Sequence, residues 1–342
     1  MAASLAAAAL PAAAAPQRKK SMHASPALIK PPRLQAGDTV GLIAPAGHTD
    51  APSIEKAVRN IEAQGFKVKL GANLGAVFGN YAGLWQQRLE DFHGMFADPE
   101  VKAIWAIRGG SGAMQLLPHL DYKLIRNNPK ILVGYSDITA LHLAINRFAG
   151  LVTFHGPVAV SSQSEYSMTH LMNVLMRPEE NYVIPMALEN SRKAEEEPEY
   201  ALRTVVPGTA TGRLTGGNLC LVAALAGTKY AADYKDAILF LEEVNEAPYR
   251  VDRMMMQLDM NQPFSQAAGV MLGIFEHCEA EPDEISLTLN ETTDQHLAPL
   301  KIPAVTGYSF GHIRNQFTLP MGIRATLDTE RQTLTLLETA VS

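Results

Sequence analysis

From Asp38 onward, apolar positions fall into short unbroken runs of strand length, each followed by a segment with helical spacing. Thr39 to Ala44 is such a run, closed by Pro45-Ala46-Gly47, and Ser53 to Gln64 keeps helical intervals until Gly65 stops it. Phe66 to Leu70 predicts a second strand and Trp85 to Phe96 a helix ending ahead of Asp98-Pro99. Val101 to Ile107 predicts a buried strand and Ala113 to Leu120 a short helix. The run from Ile131 is the next strand. It breaks at Ser136 and becomes helical over Ile138 to Phe148, and Leu151 to Phe154 is a further strand. Strands alternating with helices predict an α/β fold, a parallel sheet covered on both faces with ligands near the carboxyl ends of its strands.

Between about Ser161 and Pro207 the pattern turns polar and irregular, most strongly at Arg192-Lys193-Ala194-Glu195-Glu196-Glu197-Pro198. A domain boundary is expected there: an N-terminal domain over 31–165, a linker or substrate-loop region over 166–207 and a C-terminal domain over 208–342. In the second half, Gly212 to Leu219 leads into a helix from Cys220 to Ala226, and Ala237 to Leu241 predicts a buried strand ended by Glu242. Tyr249 to Met260 predicts an amphipathic helix whose Met254, Met255 and Met256 read as core filler. Ala268 to Phe275 and Ile302 to Tyr308 predict strands, and Phe317 to Leu319 with Ala325 to Leu337 predict closing antiparallel strands around Asp328-Thr329-Glu330.

A length of 342 residues suits two domains. With 29 Lys and Arg against 35 Asp and Glu, the net charge of −6 offers no basic field, so neither a nucleic-acid partner nor membrane insertion is expected. An anionic substrate then needs locally placed arginines. Cys220 and Cys278 lack metal-type spacing and read as buried thiols, and no metal is expected. Met1 to Ala15 resembles the apolar core of a signal peptide without its basic start, so residues 1–30 are set aside as a signal-like segment and linker. A periplasmic location is the expectation, with a tail on a cytoplasmic protein as its alternative.

The candidate chemistry centres on Ser136, at a strand-to-helix corner where a hydroxyl stands above the sheet edge and a helix N-terminus favours developing negative charge. Its plainer reading is that Ser136 and Asp137 cap the following helix. Arg108-Gly109-Gly110-Ser111-Gly112, after another buried strand, can present amides to an oxyanion or carboxylate, or serve only as a tight turn. Nothing matches a phosphate-binding loop. A serine nucleophile needs a base and a group orienting that base. His312, in a glycine-flanked loop after a strand, is the best-placed base, and Glu242, at a strand end, the best-placed acid. Glu243 and Glu246 rival Glu242, and His155 rivals His312 but reads as a satisfied structural histidine. His277 beside Glu276 is discounted as a metal ligand. Arg108 and Asn218 are candidate substrate contacts, against an ion pair and a helix cap as their plainer roles.

Gly134-Tyr135-Ser136-Asp137, the stretch Leu239 to Met254 containing Glu242-Glu243-Val244-Asn245-Glu246-Ala247-Pro248, and Thr306 to His312 with Leu319-Pro320-Met321-Gly322 resemble the serine LD-carboxypeptidases, the muramoyltetrapeptide carboxypeptidases. The likeness runs from Pro31 to the C-terminus. It implies a Ser136–His312–Glu242 triad shared between a Rossmann- or flavodoxin-like domain and a swivelling-barrel-like α/β domain, with no cofactor. Backbone amides of Gly110 and Asp137 would hold the oxyanion. It further implies release of D-alanine from a small murein-peptide substrate, and a homodimer. The same likeness extends to microcin-C self-immunity hydrolases, but Ser161 to Pro207 carries only Tyr166, Tyr182 and Tyr200 for base stacking. A non-catalytic two-domain peptide-binding protein is the alternative from another class.

Overall fold

The computed structural model describes residues 26–342; the signal-like Met1 to Ala15 lies outside them. The first half runs β1 (Thr39–Ile43), α1 (Ala51–Ala63), β2 (Lys67–Leu70), α2 (Trp85–Ala97), β3 (Val101–Ala106), α3 (Tyr122–Asn127), β4 (Ile131–Gly134), α4 (Thr139–Ala149) and β5 (Phe154–His155). Next come α5 (Glu165–Leu175), β6 (Tyr182–Ile184), α6 (Leu188–Lys193), β7 (Arg203–Val206), β8 (Thr209–Asn218), α7 (Leu219–Leu225) and β9 (Ala237–Val244). The chain closes with α8 (Pro248–Asn261), β10 (Gly269–Glu276), α9 (Leu289–Leu297), β11 (Ala304–Tyr308), β12 (Leu319–Pro320), β13 (Arg324–Asp328) and β14 (Thr333–Leu336).

These strands form two sheets. The first has the order β12-β5-β4-β3-β1-β2, parallel except for β12. Its parallel strands therefore follow the doubly wound order 2-1-3-4-5, in which the order of strand addition reverses between β1 and β3 and leaves a crevice at their carboxyl ends. The second, β6-β14-β13-β8-β9-β10-β11-β7, is parallel only across its centre, β8 to β11. Of these, β9, β10 and β11 are buried on both faces, which is why Ala237 to Leu241 reads as an unbroken apolar run.

Several expectations are corrected. The supposed linker is structured: α5 buries Met168, Leu171, Met172 and Leu175, while β6 and β7 form the two edges of the second sheet. The shortness of β6 and β7, three and four residues, hid them. From Pro26 the leading segment is also tied down, since Ile29 bridges to Leu151 and Lys30 pairs with Glu338 at 2.7 Å. Leu319–Pro320 does not close the second sheet; it pairs with β5 of the first and so joins the two halves. Glu242 lies inside β9, which continues to Val244. Cys220 is exposed rather than buried, and Met256 leaves the core filled by Met255.

One contact sets the second sheet against the element behind Ser136. At the end of β8, Gly217 approaches so closely that an added β-carbon would stand 2.5 Å from the Thr139 side chain, and the next amide, of Asn218, donates to Thr139 Oγ1 at 3.0 Å. Its neighbour Gly216 has φ +139°, and an added β-carbon would stand 1.8 Å from the Phe240 carbonyl oxygen. Backbone cannot yield as a side-chain tip can, so Gly216→Ala is expected to destabilise the fold by about 3 kcal/mol. Denaturant unfolding with an unchanged midpoint would contradict that reading of the kink.

Candidate active site

The turn after β4 presents Ser136. All four residues of β4 are buried, and Gly134 ends the strand beneath Ile138, where a β-carbon would meet the Ile138 side chain at 3.0 Å. His142, fully buried one turn into α4, lies 2.8 Å through Nε2 from the Gly134 carbonyl. Burial lowers its pKa to about 3, so the ring is neutral and Nε2 carries the donated proton. Ser136 itself has φ +63°, the left-handed region that a serine occupies only when its surroundings compel it. It makes no capping bond. Residues Ser136–Ile138 form a single 3₁₀ turn, and α4 begins after Ile138 without a side-chain cap, so the capping alternative is not realised. Asp137 instead turns inward, where its Oδ2 accepts from the Ala113 amide at 2.7 Å. Burial raises its carboxyl to about 6, against the opposing pull of Arg88.

Facing this turn is the glycine-rich loop after β3. Gly109 packs directly on the serine: an added β-carbon would stand 2.7 Å from Ser136 Cβ and 2.9 Å from its Oγ. Gly110 follows at φ +112°. The loop is held from beneath by Arg88, only 2% exposed, whose guanidinium donates to the Pro45 and Gly112 carbonyls at 3.0 and 2.9 Å and to Gln115 Oε1 at 2.6 Å. It thereby ties the turns after β1 and β3 together. Sequence reasoning missed Arg88, although its signal was present: an arginine on the apolar face of α2, in helical register with Phe92 and Met95. Gly109→Ala is expected to displace the Ser136 hydroxyl and lower turnover by about 10²-fold with the fold retained; steady-state kinetics beside a thermal melt measure both.

The second half of the site comes from the other sheet. Glu242 is completely buried on β9, and its Oε2 lies 2.7 Å from His312 Nδ1. Gly311, at φ +125°, permits this approach, because a β-carbon there would press on the Ile274 carbonyl at 2.8 Å and on Glu242 Cβ at 3.2 Å. Burial alone would lower the His312 pKa; the Glu242 charge and hydrogen bond outweigh it and hold the imidazole above its ordinary value. Reciprocally, burial would raise the Glu242 carboxyl, yet His312 keeps it below the usual carboxylate range. With Nδ1 engaged, Nε2 is left for other chemistry. The His312 loop is anchored by the segment expected to be irregular: Ser167 Oγ donates to the Arg314 carbonyl at 3.0 Å and accepts from the Gln316 amide at 2.9 Å, and Asn190 donates to the Asn315 carbonyl at 2.9 Å. Neither residue had a signal beyond ordinary helix polarity.

The rivals lie elsewhere. Glu243 points to the opposite face, accepting from Asn218 Nδ2 at 2.9 Å and the Cys220 amide at 2.7 Å, and burial pushes its pKa to about 7. Glu246 pairs with Arg250. His155 is structural but not satisfied: both ring nitrogens are buried without a partner among the described residues, and burial lowers its pKa to about 4. It packs among the rings of Tyr135, Phe240 and Phe310. His277 stands 3.7 Å from Glu276 with its side chain largely exposed. Asn218 is corrected. It is 3% exposed, its Oδ1 caps α7 through the Leu221 amide, and its Nδ2 is taken by Glu243, so the amide faces the protein rather than substrate.

Ser136 and His312 line one cavity of about 460 Å³, together with Arg108, Gly109, Gly110 and Thr49. The Tyr135 ring lies 4.7 Å from that of His312. Ser136 Oγ makes no hydrogen bond among the described residues, so its hydroxyl is free toward the cavity. The cavity lies at the carboxyl ends of β1, β3 and β4, at the crevice set by the strand order, with the second domain closing it through His312. Family models for the N-terminal and C-terminal domains of LD-carboxypeptidases match residues 40–156 and 211–327.

The chain belongs to the LD-carboxypeptidase family.

It is 37% identical to the "Probable murein peptide carboxypeptidase" of Bacillus subtilis (strain 168), a match covering 92% of this chain and 95% of that one. Its fold resembles that of the microcin C7 self-immunity protein MccF of Escherichia coli, solved as an inactive mutant, with a TM-score of 0.82 at 25% identity over 92% of this chain and 99% of that one. It also resembles the muramoyltetrapeptide carboxypeptidase of Oxalobacter formigenes, with a TM-score of 0.74 at 27% identity over 87% and 97% of the chains. Family membership makes this LD-carboxypeptidase relative a peptidase. The N-terminal family domain contains Ser136, after β4 of the first sheet, and the C-terminal one contains Glu242, on β9 of the second, and His312, after β11.

Proposed function

We propose that this protein is a serine-type LD-carboxypeptidase that releases the C-terminal D-alanine of a murein tetrapeptide through Ser136, His312 and Glu242. One observation carries the reading: the His312–Glu242 pair at 2.7 Å shares a cavity with a serine held in left-handed backbone at the end of β4. Isolated parts of this arrangement have structural uses, but a strained serine, a buried acid and an oriented imidazole around one cavity are together the components of a serine-nucleophile triad.

In the proposed reaction, His312 Nε2 takes the Ser136 proton as Oγ attacks the carbonyl preceding the D-residue. The amides of Gly110 and Asp137 hold the oxyanion, each such donor worth about 3 to 4 kcal/mol. Collapse of the intermediate breaks the C–N bond, and the imidazolium protonates the departing D-alanine amine. Water, deprotonated by His312, then attacks the acyl-enzyme and frees Ser136. The pair Glu242–His312 holds the ring in the tautomer this needs.

The likeness to MccF, which has been solved in complex with aspartyl sulfamoyl adenosine, favours a second reading in which the substrate is an acyl group linked to a modified nucleotide. The peptide reading is favoured because none of the candidate stacking tyrosines, Tyr166, Tyr182 and Tyr200, lines the cavity that holds Ser136 and His312. Mass spectrometry of products from a panel of murein tri-, tetra- and pentapeptides and an aminoacyl sulfamoyl nucleoside tests both. Loss of one alanine from the tetrapeptide alone is expected; cleavage of the nucleoside conjugate alone would replace the substrate assignment.

A further inference from the structure

We infer that Arg108 and Thr49 form the subsite for the α-carboxylate of the departing residue, and that this pair restricts the enzyme to chain ends. The inference rests on the proposed peptidase reading and adds the direction in which a peptide lies. Arg108 directly precedes Gly109, the residue packed on Ser136, so its side chain starts one residue from the nucleophile. It lines the cavity, and of its five N–H groups only Nη1 has a protein acceptor among the described residues, the His48 carbonyl at 3.2 Å. A guanidinium with an unused fork in a cavity is matched in shape and charge to a carboxylate.

Thr49 is the independent observation. It lines the same wall, is only 6% exposed, and its hydroxyl has no hydrogen-bond partner among the described residues. Buried hydroxyls are almost always paired, and a bound oxygen supplies the missing partner. Asp50, on this wall, does not compete: its carboxylate accepts from the Ser53 amide at 2.9 Å and caps α1. With the scissile carbonyl over Ser136 and its oxygen toward Gly110 and Asp137, the carboxylate of a terminal residue lies one residue beyond the scissile nitrogen, a span the long Arg108 side chain covers. The acyl portion then extends the other way, past His312. An internal peptide bond would place a neutral amide against the guanidinium and leave its fork unpaired.

Two peptides test this, a murein tetrapeptide with a free C-terminal carboxylate and the same peptide ending in a carboxamide. For the wild-type enzyme kcat/KM is expected to be about 10² higher on the acid. Arg108→Gln should lose about 10² on the acid, chiefly through KM, and leave the amide unchanged, with Arg108→Lys recovering part of the loss by charge alone. Thr49→Val should lose about tenfold, again on the acid only. Equal hydrolysis of acid and amide by the wild-type enzyme, or an equal fall on both in Arg108→Gln, overturns the subsite and leaves the serine peptidase intact. No hydrolysis of either overturns the peptidase reading, and the subsite with it.

Discussion

Ser136→Ala is expected to abolish D-alanine release, lowering kcat by about 10⁶-fold where serine and base act as a unit, while the protein stays folded. Ser136→Gly should be equally inactive yet more stable than wild type, by about 1 kcal/mol. The residue sits at φ +63°, where glycine relieves a strain that any L side chain bears. That opposite movement of activity and stability is informative. A serine kept for structure would lose stability on replacement, whereas one held in strain to expose its hydroxyl gains it. Product release followed by mass spectrometry, beside denaturant unfolding of the same two variants, provides both readings.

The second large effect is expected at Glu242. Glu242→Gln keeps shape and removes charge, and should lower kcat by about 10³- to 10⁴-fold because the amide no longer selects the tautomer with a proton on Nδ1. It should also move the pH profile. His312 must be neutral to act as base, and its pKa is raised above the ordinary 6.5, so the acid limb of kcat/KM in the wild-type enzyme is expected above pH 6.5. Without the Glu242 charge, burial is opposed only by the weaker pull of Glu243 and Glu276, and the limb shifts to lower pH. The same pair affects stability in two windows. The raised His312 pKa contributes stability that is full below its unfolded value and is lost as pH rises through the folded value. The depressed Glu242 pKa contributes stability present above its unfolded value and lost as pH falls through the folded one. A Gln variant whose acid limb stays in place would separate Glu242 from His312.

Much of this was legible in the sequence because strong local patterns coincided with topology. Strands β1 and β4, β3 apart from its exposed Lys102, and β9 as far as Leu241 are buried and read as apolar runs without alternation, and each leads to polar residues or glycines that are visible in the sequence. Ser136, His312 and Glu242 all stand at or near such ends. What stayed hidden depends on long-range pairing. The short strands β6 and β7, only Tyr182-Val183-Ile184 and Arg203-Thr204-Val205-Val206, gain their place from partners about 100 or more residues away, β14 and β11. Leu319–Pro320 reads as the start of a closing hairpin, but its partner is β5 in the other sheet. Asn218 was open to both a substrate contact and a cap of the helix it precedes; Gly217 and the Asn218 amide seat β8 on Thr139, and the side chain turns to cap α7. Arg88 was obscured for the opposite reason, a charge within an apolar face whose acceptors are carbonyls that no sequence pattern displays.

The covalent role of Ser136 is tested most directly by treating the full-length protein with a serine-directed fluorophosphonate and mapping the modified peptide by mass spectrometry. The expected result is a single adduct on Ser136, present in the wild-type protein and lost in His312→Ala with the fold intact. Unmodified Ser136 in a preparation that still releases D-alanine, or an adduct on another serine that alone abolishes release, would contradict it.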